Sequence, residues 1–443
     1  MFFLPTSAGV KVIYAYWSAD VYISMKYSIL KQLGSYCVVR SFARRISRGR
    51  VSVKSSHEST DCGSEEANDT WKAVDPEIQR IWDRFPKVLR RRTSHPEHIY
   101  HVHSAAVELL VKNASVVPAS EEAIIFEANP GPGVLTKALL EAGIPHLRVF
   151  EKSPIFLRHL KLLKEQYPSQ LEIVEEDFLR LPSISASDSY GVTERTNELL
   201  RGIPHLPWKH EPMVRVVGTL SRKREVSFLR FLLHMLPQRG SIFAVGRVDF
   251  LLFISGLEYT YITSTNKESN LRRYRGISVL YKLFFDIQVI DKVPRDLFLP
   301  LPPKDKPRLK NPTFDDGSLY LIHLTPRSDL YDLLSPPERL LELVFFIQQN
   351  MVKRTAYVIP TLEKWIPGCG PRLIRGGVKV FCRMGDLSPH QMLTLFQLFS
   401  SLSEYQESPF TAAVMREMHS RDEDDDTVAY NPASSLTDAE PQS

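Results

Sequence analysis

Three acidic residues stand where three successive strand-like runs end, and a glycine loop follows the first of them. Glu127 closes "IIFE", Glu151 closes "HLRVFE" and Asp177 follows "LEIVEE". In the loop "NPGPG", Gly131 and Gly133 let the backbone approach a ligand closely, where any side chain would collide. A carboxylate at a strand end can accept both hydroxyls of a ribose, and another can accept the amino group of adenine. The pattern therefore predicts a site for an adenine nucleoside.

The spacing around the loop separates two kinds of nucleoside cofactor. A dinucleotide site would have a third glycine where Thr136 stands. A methyl-donor site instead has acids before the loop and after the next two strands, and this favours S-adenosyl-L-methionine. Glu151 is then expected at the ribose and Asp177 at the adenine, while Glu127 holds the loop or lies beside the cationic methionine end. Each acid alone is more often a solvated strand end, but three in register with a glycine loop favour a site.

The order of the elements predicts an α/β fold. The strand-like runs "AIIFEA", "HLRVFE", "LEIVEED", "MVRVVG" and "SIFAVG" follow one another, with helix-like runs between the early ones. Such alternation indicates a mainly parallel sheet with helices on both faces. The runs "FFDIQVIDKVP" and "SLYLIHLTP" predict two later strands, and helices are expected over residues 71–92, 340–353 and 388–405. The last of these begins with Ser388-Pro389-His390-Gln391, which is typical of a capping box.

Composition divides the chain into five segments, and the first is basic. Between Val21 and His57 the sequence has eight Lys or Arg and no Asp or Glu, which is typical of a mitochondrial targeting leader. The alternative interpretation is a disordered arm that binds nucleic acid. No run of 18 uncharged apolar residues exists, and the four cysteines have no CxxC spacing. The predicted segments are a leader (1–57), a linker with an N-terminal helix (58–94), a sheet domain (95–326), a helical domain (327–420) and an acidic disordered tail (421–443).

Several stretches together resemble the rRNA adenine N6-dimethyltransferase family, and more narrowly its second mitochondrial branch. They are "EANPGPGVLTKALLEAG", "VFEKS", "EEDFLRL", "VGRVDF", "KVPRDLFLPLPPK" and "LYLIHLTPR". The resemblance runs from about His95 to about Ser408, and Asn129 stands where the family usually has its first loop glycine. It implies a Rossmann-like, S-adenosylmethionine-dependent methyltransferase fold with a small all-helical C-terminal domain. It also implies a cofactor contact at His101.

The part of the family pattern that binds the target adenine is missing. Dimethylation requires Asn-Leu-Pro and an aromatic residue after the fourth strand, to hold the target amino group and stack the flipped base. Here that position holds Gly218, Thr219, Leu220 and Ser221, and "NPTF" (311–314) lies far past it. No catalytic residue is therefore predicted.

The resemblance implies a transcription initiation factor of the mitochondrial matrix and nucleoid. Such a factor, expected as a monomer, would help mitochondrial RNA polymerase open promoter DNA and would keep at most residual methyl transfer. The rival is an active dimethyltransferase of adjacent adenosines in mitochondrial small-subunit rRNA. A small-molecule methyltransferase is disfavoured by the basic helical C-terminal part.

Residues 353–383 contain seven Lys or Arg and one acid, Glu363. By resemblance, Lys353 and Arg354 are expected to contact DNA from the end of an apolar helix, and Tyr357, Trp365 and Phe381 could stack on unpaired bases. A second cluster contains four histidines, His95, His98, His101 and His103. Because no Cys or acid lies near them at ligand spacing, no metal site is predicted.

Overall fold

The computed structural model describes residues 75–92, 96–114, 123–189, 191–267, 273–302 and 317–426. The predicted leader, His95, the "NPTF" stretch and the end of the predicted tail lie outside these ranges. The strands are β1 (Tyr100–His101), β2 (Ile124–Ala128), β3 (His146–Phe150), β4 (Leu171–Val174), β5 (Val214–Thr219), β6 (Val248–Ser255), β7 (Phe285–Pro294), β8 (Phe298–Leu299) and β9 (Ser318–Pro326).

Helices precede, separate and follow the strands. Those of the N-terminal and sheet regions are α1 (Pro76–Arg84), α2 (Pro86–Leu89), α3 (Ser104–Ala114), α4 (Val134–Glu141), α5 (Pro154–Gln166), α6 (Leu181–Ser189), α7 (Arg195–Leu199), α8 (Glu225–Met235), α9 (Gly256–Thr263) and α10 (Gly276–Phe284). Those after β9 are α11 (Arg339–Asn350), α12 (Val358–Leu362), α13 (Gly370–Arg375), α14 (Pro389–Ser400) and α15 (Pro409–Asp426).

Seven strands form one sheet in the order β4-β3-β2-β5-β6-β9-β7. The first five are parallel, whereas β9 is antiparallel to both of its neighbours. The strands β4, β3 and β2 are adjacent, so the residues that follow their carboxyl ends meet at one edge of the sheet. The short strands β1 and β8 pair separately, which joins Tyr100 to Leu299.

Helices cover both faces of this sheet, as the sequence predicts. Along β6, Phe250, Leu252 and Ile254 belong to one hydrophobic cluster and Leu251 and Phe253 to the other. This alternation follows from the two-residue repeat of a strand. The first cluster continues through α8 and α10 into the helices after β9, and the second contains α3 and α4. The mainly parallel α/β methyltransferase-type fold is thereby confirmed.

A buried ion pair joins the neighbouring strands β5 and β6. Arg215 on β5 donates from Nη2 to Asp249 Oδ2 on β6 at 2.8 Å, and both side chains are about 6% exposed. His323 Nε2 on β9 lies 3.2 Å from the same oxygen. These partners hold the pKa of Asp249 below its ordinary value despite burial. Removing one member of such a pair leaves an uncompensated buried charge.

Some predicted elements differ from the observed ones. The run "SIFAVG" is wrong as a strand, because Ser241–Val245 form a 3-10 helix and the fifth strand is Val248–Ser255. The helix predicted over 71–92 is interrupted at Phe85, since Pro86 has no N–H to continue α1. The capping box is confirmed, because Ser388 and Gln391 bond each other's backbone N–H at the start of α14.

The ends of the C-terminal helices also differ from expectation. Helix α11 ends at Asn350, so Lys353 and Arg354 lie in the turn beyond it and not on the helix. Helix α15 continues to Asp426, past the predicted start of the tail at Arg421. Within the described residues, no helix is long and apolar enough to cross a membrane.

Candidate cofactor site and nucleic-acid surface

The glycine loop leaves β2 in a left-handed backbone and enters α4. Asn129, Gly131 and Gly133 have φ values of 55°, 58° and 76°. A Cβ on Gly131 would lie 2.2 Å from a ring carbon of Tyr100, so only glycine fits there. Gly133 precedes the first residue of α4 without a side-chain cap, which leaves N–H groups of the first turn directed toward the loop. The structure therefore forms the tight turn that the spacing predicts.

The three predicted acids lie together at the carboxyl edge of β2, β3 and β4, and all three are buried. Glu151 Oε2 accepts from the N–H of Gly131 at 3.0 Å, which joins β3 to the loop after β2. Asp177 Oδ1 accepts from Asn129 Nδ2 at 2.8 Å, which joins β4 to the same loop. The loop is thus held by two of the acids that were predicted to hold a ligand.

Glu151 also stabilises the start of α5. Its Oε1 accepts from the N–H groups of Lys152 at 2.9 Å and Ser153 at 2.7 Å. Burial raises the pKa of Glu151, and the three backbone N–H groups oppose that effect. A carboxylate offers about four lone-pair positions. Three backbone donors leave Glu151 with roughly one free position, whereas a ribose with both hydroxyls bound requires two.

Glu127 lies deepest of the three acids. Its Oε2 accepts from the hydroxyl of Thr136 at 2.7 Å, whereas its Oε1 is buried without a hydrogen-bond partner. Burial raises the pKa of Glu127 to about 8, so the side chain is mainly protonated at neutral pH. Thr136 stands where a dinucleotide site would have its third glycine. The sequence predicted that Glu127 either holds the loop or lies beside the methionine end of the cofactor. The observed geometry supports the first role, because the bond between Glu127 and Thr136 joins β2 to α4.

The segment 97–103, which precedes α3, covers the loop. The ring of Tyr100 lies against Gly131, and His98 Nδ1 lies 3.1 Å from Asn129 Nδ2. His98 Nε2 is 3.6 Å from Asp177 Oδ2, and burial lowers the pKa of His98. Sequence reasoning missed both contacts, because they join residues about 30 positions apart that no spacing pattern links.

His101, predicted to contact the cofactor, is buried in the interior. Its Nε2 lies 2.8 Å from Thr219 Oγ1, and burial lowers its pKa to about 3, so the ring is neutral. Thr219 belongs to the stretch that replaces the adenine-binding motif. Ser221 of that stretch donates its hydroxyl to the carbonyl of Glu97 at 2.6 Å. The segment 97–103 is therefore bonded to the stretch 218–221, which was predicted to replace the adenine-binding motif.

We define the frame as Glu127, Glu151, Asp177 and the loop 129–133. Its residues fit S-adenosylmethionine in chemistry and in part in geometry. The three acids are adjacent, and Gly131 has the backbone freedom that a close approach requires. Glu127 Oε1 and Asn129 Oδ1 are buried polar atoms without partners. Glu151 and Asp177, however, already accept from loop donors. Glu151 and Asp177 would hold the cofactor only if some of these contacts exchanged.

The predicted basic region forms a surface with two exposed aromatic side chains. We define the basic-aromatic surface as Lys353, Tyr357, Lys379, Phe381 and Arg383. Backbone bonds between residues 354–358 and 382–385 bring its parts together, for example Val358 N to Cys382 O at 2.9 Å. Phe381 is 81% exposed, its ring lies 6.3 Å from that of Tyr357, and the Arg383 guanidinium lies 5.8 Å from the Tyr357 ring.

Three residues predicted for this surface have other partners. Trp365 is half-buried against Phe410, with ring centroids 5.6 Å apart, so its ring is not presented to a base. Arg372 forms a two-bonded ion pair with Glu404 at 2.7 and 2.9 Å. Arg354 is half-buried and donates to the carbonyl of Tyr274 at 3.3 Å, whereas Lys353 is exposed. Lys353 thus has the more accessible charge of the predicted DNA-binding pair.

One of the four clustered histidines, His103, does lie at metal-site spacing from two acids, which the sequence analysis did not pair with it. Asp75, Glu77 and His103 place one ligand atom each within 4.8 Å of one another. All three have structural bonds: Asp75 caps α1 by accepting from the Glu77 N–H, Glu77 accepts from the Ser104 N–H, and His103 accepts from the Ala105 N–H. These bonds explain the cluster as the joined starts of α1 and α3.

Comparison with known proteins agrees with this frame. The family model for ribosomal RNA adenine dimethylase matches residues 101–400. The chain belongs to the ribosomal RNA adenine dimethylase family. It is 30% identical over 384 residues to the Drosophila melanogaster protein named mitochondrial dimethyladenosine transferase 2, an alignment that covers 76% of this chain and 83% of that protein. The rat protein of the same name is 31% identical over 62% of this chain and 70% of its own length.

The family and its second mitochondrial branch, predicted from the loop and the later motifs, are thereby confirmed. Among solved structures, a dimethyladenosine transferase from Plasmodium falciparum is similar, with a TM-score of 0.46 and 14% identity over 68% of this chain and 97% of that one. The 23S rRNA methyltransferase ErmE has a TM-score of 0.41 and 16% identity over 68% of this chain and all of that one. Family members transfer methyl groups from S-adenosylmethionine. A shared fold does not by itself establish the activity of this chain.

Proposed function

We propose that this chain is a mitochondrial transcription initiation factor built on the rRNA adenine dimethylase fold. It would help mitochondrial RNA polymerase open promoter DNA, and it would retain a pocket for S-adenosylmethionine. The observation that carries the proposal is the replaced base-acceptor motif. Thr219 is bonded to His101 and Ser221 to Glu97, and the stretch 218–221 supplies neither an amide nor an aromatic ring to a flipped adenine.

The basic-aromatic surface supports binding to an unpaired strand. Aromatic rings stack on bases without regard to sequence, and nearby cations neutralise phosphates. Phe381 and Tyr357 are exposed large side chains, and Lys353, Lys379 and Arg383 are exposed cations beside them. An opened promoter presents this combination of bases and phosphates. Binding should therefore fall steeply with salt and depend only weakly on sequence.

The mitochondrial setting rests on two independent supports. The Drosophila and rat relatives are named as mitochondrial proteins. Residues 21–57 have the composition of a targeting leader, although they lie outside the described residues. We place the protein in the matrix, at the nucleoid, where both the polymerase and promoter DNA are found. Mitochondrial small-subunit rRNA is its other candidate partner.

The test compares two double variants in promoter-dependent transcription with purified mitochondrial RNA polymerase. Replacing Lys353 and Arg354 with Ala should lower transcription, and it should flatten the dependence of log affinity on log salt by about 1–2 units. The control replaces Lys137 and Lys209, two exposed cations paired with acids elsewhere, with Ala. It removes the same charge and should leave transcription unchanged.

Two results would contradict the proposal. An unchanged salt slope with full transcription would show that Lys353 and Arg354 are only solvated surface. Equal losses in both double variants would show a dependence on net charge and not on this surface. Because Arg354 also bonds the Tyr274 carbonyl, thermal melting of each variant checks that the fold is retained.

The second candidate is an active dimethyltransferase of adjacent adenosines in mitochondrial small-subunit rRNA. The observation that favours it is the adjacency of Glu127, Glu151 and Asp177 beside the loop. When bound, S-adenosylmethionine would supply a transferable methyl group, and Glu151→Ala should weaken its binding by about 1–3 kcal/mol in calorimetry. Two methyl groups transferred to small-subunit rRNA at many turnovers per enzyme would favour this candidate over the transcription factor.

A further inference from the structure

We propose that Asn129 is a competitor of the cofactor: its side-chain amide occupies the hydrogen-bonding position at Asp177 that the amino group of adenine would take. The inference deepens the function proposed above and rests on the assignment of Asp177 to adenine. It concerns what limits cofactor affinity in this chain. It makes the first loop position, beside the acids, a determinant of how tightly the pocket binds.

The geometry of the amide supports this role. Asn129 Nδ2 donates to Asp177 Oδ1 at 2.8 Å and lies 3.1 Å from His98 Nδ1. An exocyclic amino group of adenine is also a planar NH₂ with two donors, so it has the same needs as this amide. Asp177 Oδ1 additionally accepts from the Leu179 N–H at 3.0 Å. That oxygen therefore has both lone pairs in use, and the amide must leave before another donor can bind it.

The other half of the amide is not satisfied. Asn129 is 5% exposed, and its Oδ1 is buried without a hydrogen-bond partner. A buried carbonyl without a donor lowers the stability of the arrangement that contains it. The side chain thus makes good bonds through its nitrogen and none through its oxygen. Such a side chain is a displaceable occupant, whereas a purely structural asparagine would have both ends bonded.

The backbone at this position allows the side chain to be removed without a change in the loop conformation. Asn129 has φ of 55°, a conformation that glycine adopts freely and that asparagine tolerates better than most residues. Asn129→Gly therefore removes the amide while it keeps the turn. Asn129→Ala also removes the amide but strains the backbone at positive φ. The two variants share the loss of the amide and differ in backbone cost, which separates the two effects.

The experiment measures binding of S-adenosylhomocysteine and S-inosylhomocysteine by calorimetry to the full chain and to both variants. The inosine analogue has a carbonyl in place of the adenine amino group, so its 6-position cannot donate to Asp177. We expect both variants to bind S-adenosylhomocysteine about tenfold more tightly than the wild type, the effect of one charge-assisted hydrogen bond. For S-inosylhomocysteine the change should be less than about twofold. Thermal melting should show that Asn129→Ala is less stable than Asn129→Gly.

Three other outcomes overturn the inference, in distinguishable ways. An equal gain for both ligands would show that the side chain blocks the pocket by volume and not by hydrogen bonding. Wild-type binding without a gain in either variant would show that Asn129 is structural, and cofactor retention would stand. Absence of binding in all three proteins would overturn both the inference and the retained pocket, while the transcription assay would still test the factor. Binding by the variants alone supports the competitor and shows that the wild-type pocket is closed.

Discussion

Replacing Glu127 with Gln should make the protein less sensitive to rising pH. Burial raises the pKa of Glu127 from 4.5 to about 8, and the Thr136 hydroxyl bonds the carboxyl on one side only. A raised pKa means that the folded state retains a proton that the unfolded state has released. The stability from this group is therefore fully present below about pH 4.5 and is lost as the pH rises to about 8.

The size of the effect follows from that shift. One pKa unit corresponds to about 1.4 kcal/mol, so the wild type should lose roughly 3–4 kcal/mol relative to Glu127→Gln between pH 5 and pH 9. Glutamine has the same shape and a carbonyl that can accept from Thr136, and it does not titrate. The variant should thus be close to the wild type in stability at pH 5 and clearly more stable at pH 9.

Urea unfolding followed by tryptophan fluorescence at each pH measures this difference. Glu225 and Glu258 are also buried with raised pKa values, so the wild-type curve alone falls for several reasons. The difference between wild type and variant isolates Glu127. Glu141→Gln, at an exposed residue on the neighbouring helix, is the matched control and should follow the wild type. Parallel curves for wild type and Glu127→Gln would refute the reasoning, because they would mean that Glu127 is ionised in the folded protein.

Three other predictions follow from the fold and the sequence. Gly131→Ala should destabilise the protein by about 2–4 kcal/mol because its Cβ has no room, whereas Gly143→Ala, at φ of 82° with open space around it, should cost only about 1 kcal/mol in thermal or urea unfolding. Asp249→Ala should cost about 3–5 kcal/mol because it leaves its buried arginine unpaired, and the surface control Asp332→Ala should cost less than about 1 kcal/mol. A fusion of residues 25–60 to a fluorescent protein should enter mitochondria, and a diffuse cytosolic signal would rule out the leader.

The sequence predicted the frame of the site because the frame depends on local patterns. Strand ends, loop glycines and acids occur at fixed spacing, and parallel strands bring their carboxyl ends to one edge. Glu127, Glu151 and Asp177 therefore lie where the order of elements puts them. The strand prediction for "SIFAVG" failed because the local pattern there is ambiguous. A short apolar run fits both a strand and a tight helix, and only the neighbouring, fully buried β6 decides between them.

The contacts that cover the frame could not be predicted, because they join residues far apart in the chain. His101 bonds Thr219, and Ser221 bonds the carbonyl of Glu97. No periodicity or spacing links residues more than a hundred positions apart. The pairing of Arg372 with Glu404, 32 positions apart, is likewise not indicated by spacing, and it neutralises one charge of a region that is almost entirely basic in sequence. Long-range partners decide which predicted site residues remain available.

Retention of the loop motif does not by itself show retention of the cofactor, because folding alone requires most of its residues. Gly131 must lack a side chain to pack against Tyr100, Glu151 bonds the first N–H groups near α5, and Glu127 fastens α4 through Thr136. Each of these contacts would be needed even if nothing ever bound. Asn129 differs from them, since its carbonyl has no partner and its amide bonds the acid that is predicted to bind adenine. Cofactor binding is therefore best judged at Asn129, because removal of its amide should change binding while the turn is kept.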